Sequence, residues 1–181
     1  QVKLSPTAAA AKPRYTPKLP AYEALLKAKH FHWKVTVESM EQAKEFYEQA
    51  IALDPNYALA RALYADYLFG RTTVGMTPLR EAAPIARALG QRALQLDPSL
   101  PEVHSTLGIL AAFFNFNWKA ADSEFTLAKA DDSASPPCHF VCGLVFLGAG
   151  RRADAVEQLD KALRGGTPQP PTPPVPGAFP R

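Results

Sequence analysis

Recognisable catalytic sets are missing from this chain. It holds no Gly-x-Ser-x-Gly elbow, no His-Glu-x-x-His pair and no spaced set of cysteines, so the residues of a serine hydrolase, a zinc protease or a zinc ribbon are not there. Residues 70–75, Gly-Arg-Thr-Thr-Val-Gly, match a phosphate loop only superficially. Such a loop needs Gly-Lys followed by Ser or Thr, because the lysine meets the terminal phosphates, and Met76 follows here instead. The segment reads as an ordinary inter-helix loop. Cysteine is scarce, with Cys138 and Cys142 only. Four apart on one helix, they share a face but are poorly held for a disulfide. Two thiolates fall short of a structural zinc site, so both read as buried thiols. His30 and His32 are two apart and cannot share a helix face as metal ligands. No catalytic residue, metal or cofactor is assigned, and the chain reads as a non-enzyme.

Long apolar runs and clustered bases are missing too. The longest nearly unbroken apolar stretch, Phe140 to Gly150, is too short to span a bilayer, so no direct membrane insertion is expected. The formal net charge is +3, but Lys3, Lys12, Arg14 and Lys18 lie within residues 1–20 with no acid among them, and the remainder carries −1. A nucleic-acid surface needs a clustered basic face, and no nucleic-acid partner is expected. Gln1 opens the chain and no charged-then-apolar leader follows, as in a processed product or an excised piece. The compartment stays open between cytoplasm and periplasm, with or without tethering through a parent protein. Tryptophan is scarce and alanine abundant, which suits closely packed helices.

What is present is a recurring helix. From Glu41 to Pro55, the residues Ala43, Phe46, Tyr47, Ala50, Ile51 and Leu53 fall near a 3.6-residue period, with Glu41, Lys44, Glu45, Glu48 and Gln49 on the other faces. Small residues at Ala43 and Ala50 allow a close helix approach, and Tyr47 fills the gap between them. Pro55 stops the element. Three echoes follow: Ala86, Gly90 and Ala93 before Leu96-Asp97-Pro98; Ala121, Phe125 and Ala128 before Asp131-Asp132-Ser133; and Ala155, Leu159 and Ala162 before Gly165-Gly166. Each copy follows another apolar helix. Helix one is expected from Tyr22 to Trp33, a turn from Val35 to Ser39 with Ser39 as cap, and helix three from Ala58 to Phe69, ended by Gly70. Helix four follows Thr77-Pro78, helix five opens at Leu100-Pro101, helix six at Trp118, and helix seven at Pro136-Pro137. Helix eight is expected over residues 152–164. Helix seven is apolar nearly all round and should be covered on more than one side.

These residues resemble the tetratricopeptide repeat (TPR) family, whose second helix carries a small residue, an aromatic, a small residue and a proline. Ala43, Tyr47, Ala50 and Pro55 match all four, and Leu107-Gly108 and Gly143 with Phe146 match the first-helix pattern in part. Pro55 and Pro98 lie 43 residues apart, against a family repeat of about 34, and the region around Phe31 lacks the expected glycine. The resemblance covers about residues 21–166. It implies an all-α fold: an antiparallel helix-hairpin solenoid of about four hairpins, wound as a right-handed superhelix. A narrower likeness rests on the run from Glu48 to Ala60 and on Phe116-Asn117-Trp118 before Ala120-Ala121. It is similar to the repeat regions of bacterial membrane-anchored protein kinases, nucleotide cyclases and winged-helix regulators.

Residues 1–20 read as a basic Pro/Ala-rich linker, 21–166 as the repeat domain, and 167–181 as a Pro-rich spacer with seven prolines. If first helices line a concave groove, as the resemblance implies, then Asp66, Phe69, Ser105, Ile109, Phe113, Phe140 and Leu144 face it. A peptide or a partner's helix is the expected occupant, with Phe69, Phe113 and Phe140 as anchors. Helices three, five and seven contain neither lysine nor asparagine, so no terminal-carboxylate clamp is expected. The acids Glu45, Asp66, Glu102 and Asp122 are expected to be mostly solvated, and the aromatics Phe113, Phe114, Phe116 and Trp118 to form a packed corner. The alternative is a structural spacer or a self-associating module forming a homo-oligomer, since a solenoid end without a polar cap favours further contact.

Overall fold

The amphipathic periods close into eight α-helices in a computed structural model that describes residues 15–34, 36–129 and 136–166. They are α1 (Leu19–His32), α2 (Val37–Leu53), α3 (Ala58–Thr73), α4 (Leu79–Leu96), α5 (Pro101–Ile109), α6 (Trp118–Lys129), α7 (Pro136–Gly148) and α8 (Arg152–Gly166), with a π-helical turn, Leu110–Phe114, continuing α5. The linker and tail readings for residues 1–14 and 167–181, and the third repeat's ending at residues 131–133, lie outside the described residues. Consecutive helices pair as four hairpins, α1 with α2, α3 with α4, α5 with α6 and α7 with α8, and the hairpins stack mainly through α3, α5 and α7.

The repeated small–large–small positions form the joints of this stack. Ala43, Tyr47 and Ala50 are buried, as are Ala86, Gly90 and Ala93, and Ala121, Phe125 and Ala128. Gly90 stands where the other copies carry a large residue. Leu110 and Leu107 come within 3.1 and 3.4 Å of the place its Cβ would take, so the next hairpin's leucines fill that space. In the fourth copy Ala155 is buried, but Leu159 and Ala162 are only partly so, because no described hairpin lies beyond.

Two helix endings use the same tripeptide in the same way. Asp54 and Asp97 adopt extended backbones (φ −140° and −147°) ahead of Pro55 and Pro98, as a following proline demands. Their carboxylates accept hydrogen bonds from the backbone N–H groups of Asn56 and Ser99, two residues on. Asp54 also receives the Tyr15 hydroxyl at 2.7 Å and the Lys18 N–H at 3.0 Å. This ties residues 15–18 to the end of α2.

Three local expectations are corrected. The cap of α2 is Thr36, and Ser39 completes a capping box from inside the first turn. Helix α3 runs past Gly70 to Thr73, with the Thr72 and Thr73 hydroxyls donating to the carbonyls of Phe69 and Gly70. Gly75, at φ +75°, supplies the left-handed residue that turns the chain. The second helix of the third hairpin is preceded by a π turn that no periodicity announces: Asn115 N–H bonds the Leu110 carbonyl five residues back. Helix α7 is covered by α8 and, from another side, by α5 and α6, as expected, but Phe140, Leu144 and Leu147 on its remaining face are 46%, 47% and 53% exposed.

The first interface is aromatic. His32 Nδ1 lies 3.1 Å from the Tyr47 hydroxyl, and its ring meets Tyr67 edge-on at 5.2 Å. Burial lowers its pKa to about 4, which holds the imidazole neutral as a packing group rather than a ligand.

Candidate binding groove

Helical spacing puts Asp66 and Phe69 one turn apart on α3, and Ser105, Ile109 and Phe113 at successive turns of α5 and its π extension. The structure brings these residues together in two places. Phe69 and Phe113 meet with ring centroids 5.0 Å apart. They floor an open depression of about 460 Å³ whose rim includes Thr72, Gly75, Pro78 and Leu79. Trp118 closes on Phe113 at 6.0 Å, edge to face. The expected packed corner is thus half open: Phe113 is 37% exposed, and Phe116 projects into solvent. The loop after α3 contributes to the depression's wall.

The second place is a narrow crevice where α3, α5 and α7 converge, lined by Asp66, Glu102, Ser105, Thr106, Cys138 and Val141. Ser105 lies at its floor, only 5% exposed. Ile109 is 1% exposed. It packs in the core with Val145 and Phe146 of α7, not at the surface. Phe140 and Leu144 stand on the open face of α7, away from either depression's lining.

Asp66 departs from the solvated state expected of it. It is partly buried, and desolvation pushes its carboxyl up to about 6. A carboxyl with a raised folded pKa stabilises the fold only when protonated, below its unfolded value of 3.8, and this contribution is lost as pH rises through 6. At neutral pH the folded chain therefore holds a charge that water would solvate better. Asp66→Asn is expected to raise unfolding free energy at pH 7 by about 1–3 kcal/mol, with the advantage gone near pH 4. Urea denaturation of both proteins at the two pH values checks this, and an equal difference at both would refute a desolvated Asp66.

The two cysteines are buried and free. A hydrogen bond to Cys142, and then burial, raise the Cys138 thiol pKa, which leaves it unreactive. His139 Nδ1 lies 2.8 Å from Gln158 Oε1 in the same last hairpin. Among the described residues, no group of three or more His, Cys, Asp or Glu side chains is placed to hold a metal ion, and no helix is long and apolar enough to cross a membrane.

This stacking of hairpins has counterparts among solved structures. The chain is similar to TTC0263, a thermophilic TPR protein of Thermus thermophilus, with a TM-score of 0.56 at 17% identity over 77% of this chain and 74% of that one. The fold is the tetratricopeptide repeat fold. MamA superposes less closely, with a TM-score of 0.48 at 18% identity over 80% of this chain and 77% of that chain. No protein-family profile matches the chain, and no curated protein sequence does.

Within the TPR fold, two residues of the site escaped the sequence reading. Glu102 lies one turn before Ser105 on the same face of α5, and Leu147 continues the Phe140–Leu144 strip of α7. Both had a visible signal, the i, i+3 spacing to a residue already assigned. The π turn had none. It and Phe116, whose φ of +52° is unusual for a bulky side chain, flank the aromatic depression. Such local departures concentrate at binding sites.

Proposed function

We propose that this chain is a non-catalytic protein-interaction module whose concave face holds a peptide or a partner's helix. The observation that carries the reading is apolar surface left open on first helices: Phe113, Phe140 and Leu144 are 37%, 46% and 47% exposed, where a monomer would otherwise bury or avoid such side chains. Phe69 and Phe113 together offer a ready aromatic seat. The TPR fold supports the reading, since solenoids present extended concave binding surfaces. The likeness of residues 48–60 to bacterial regulators supports a role for the module within a signalling protein. Nucleic acid is not the proposed partner. A peptide library screened against the full 181-residue chain tests the reading. Selected peptides should bind at least about tenfold more weakly to Phe113→Ala, the effect of losing a buried aromatic anchor. Binding that ignores Phe113, Phe140 and Leu144 alike would remove the groove from consideration.

Self-association is the second reading, favoured by the strip Phe140, Leu144 and Leu147 together with Val156, 68% exposed, on the terminal hairpin. Sedimentation across a concentration series separates the two. A dimer abolished by Leu144→Glu supports assembly, whereas a monomer at every concentration leaves the face for another partner.

A further inference from the structure

The last hairpin repeats a face that the hairpin before it keeps covered. With Gly143 aligned on Gly108, Phe140, Leu144 and Leu147 take the places of Ser105, Ile109 and Ala112. Those three are buried, and Ile109 and Ala112 share a core with Cys138, Cys142 and Val145 of α7. On α7 the same positions are apolar and stay open. Helix α8 extends the open face. Val156 stands where the three earlier copies carry a charge, Lys44, Arg87 and Asp122. Arg87 donates to Asn115 at 2.7 Å and Asp122 pairs with Arg151, each in the turn of the following hairpin, so this position looks toward the next hairpin. Leu163 takes the place of Leu94, which packs beside Val103 of the following hairpin. Val156 and Leu163 are both exposed. The stack therefore ends in an apolar face where a polar cap would keep it in water.

The chemistry of the candidates decides what covers this face. Residues 167–181 carry seven prolines, which rules out a ninth helix from that segment. At the other end of the stack, α1 exposes Glu23, Lys27 and His30 at helical spacing on one face. Seated over α7, it would press charge against Phe140 and Leu144. A second α7–α8 hairpin brings no such conflict. Two-fold pairing sets the same surface against itself, so it demands a face without an excess of one charge. Helix α7 holds no charged residue, and α8 balances Arg152, Lys161 and Arg164 against Asp154, Glu157 and Asp160. Lys161 pairs with Glu157 and Arg164 with Asp160 inside the helix.

We infer that the last hairpin is a two-fold dimer interface, in which the α7–α8 hairpin of a second copy lies over Phe140, Leu144, Leu147, Val156 and Leu163. This rests on the self-association reading above and adds the surface, the symmetry and closure at two copies. None of these residues lines the Phe69–Phe113 depression. The dimer thus keeps two aromatic seats, which suits a partner with two binding segments.

Single cysteines on the strip test this in the full 181-residue chain. Cys138 and Cys142 are buried and give a silent background. A disulfide needs Cα atoms within about 7 Å, and a two-fold axis brings a residue near its own copy. At least one of Phe140→Cys, Leu144→Cys and Leu147→Cys should form a linked dimer on mild oxidation, and Leu26→Cys on α1 should form none. In sedimentation the unmodified chain should stop at two copies. Leu144→Glu should weaken the dimer at least about tenfold, with unchanged circular dichroism. A monomer at every concentration would overturn the inference and the self-association reading together. Assembly beyond two copies, or linking only when Leu144→Cys is mixed with Leu26→Cys, would overturn the two-fold surface and leave self-association standing. A dimer that links at none of the three strip positions, or that Leu144→Glu does not weaken, would do the same.

Discussion

Phe125→Ala is expected to destabilise the chain by about 3–5 kcal/mol, the usual range for emptying a buried aromatic site. Phe125 is 0% exposed. Its ring is in contact with the Gly108 side of α5, where a Cβ would lie only 2.8 Å from two ring atoms and 2.9 Å from a third, and it meets Phe146 of α7 edge to face at 6.1 Å. The ring thus joins the third hairpin to the fourth. A glycine and an aromatic are matched here: the backbone of α5 leaves out one Cβ so that the ring can lie against it. Alanine leaves a cavity that the surrounding helices collapse into only partly. Because each hairpin of a solenoid leans on its neighbours, the loss falls first on α7 and α8. The buried thiols of Cys138 and Cys142 then become reporters. Thiol labelling under native conditions should accelerate in Phe125→Ala well before α1–α2 loosens, alongside a lower urea midpoint. Unchanged labelling with a lower midpoint would mean the last hairpin is not the weak end.

The second large effect is the opposite error, overfilling. Gly143→Leu is expected to cost about 1–3 kcal/mol, with more if the helices cannot separate. Even a Cβ at Gly143 would lie 2.7 Å from Leu159 Cγ and 3.3 Å from the Ala155 carbonyl oxygen of α8. Leu159 has alternative rotamers, but the Ala155 carbonyl belongs to the backbone and moves only with its helix. The substitution therefore pushes α7 and α8 apart and lowers the melting temperature. A double mutant gives the sharper measurement. Leu159→Ala should recover part of the loss, so that the two changes combine to less than their sum. Strict additivity would mean that Gly143 and Leu159 do not share the joint.

The outcomes expected for Asp66 and Phe125 separate two kinds of residue. Phe125 is kept for stability. Asp66 works against stability, since its asparagine variant should fold more tightly at neutral pH.

Much of the architecture was legible in the chain because the rules involved are local. The period of Ala43, Tyr47 and Ala50 marked a helix with one small, close-packing face, and Leu53-Asp54-Pro55 and Leu96-Asp97-Pro98 marked its ends. Gly108 and Gly143 match the first-helix pattern, and at each a Cβ would run into the facing helix. The cap of α2 and the end of α3 were misplaced by a few residues, since Ser39 and Gly70 are each compatible with an ending and with a first or last turn. The candidate site was legible in part. The family resemblance put Phe69 with Phe113 and Asp66 with Ser105 on one face, but it also assigned Ile109 to the groove. Periodicity tells which residues share a helix face, not how deep that face sits once a neighbouring helix arrives.

The sequence by itself determined the helices, their pairing into hairpins and the joints where small residues let backbones approach. Those follow from helix period, proline geometry and side-chain volume, all properties of neighbouring residues. Only the tertiary structure decided that Ile109 is covered while Phe113, Phe140 and Leu144 are open. It also decided that a π turn and a positive φ at Phe116 flank the aromatic depression, and that Asp66 is partly withdrawn from water between α3, α5 and α7. The physical reason is common to all three. Burial, desolvation and backbone strain depend on what the rest of the chain brings alongside a residue, and those contacts are made between segments far apart in sequence.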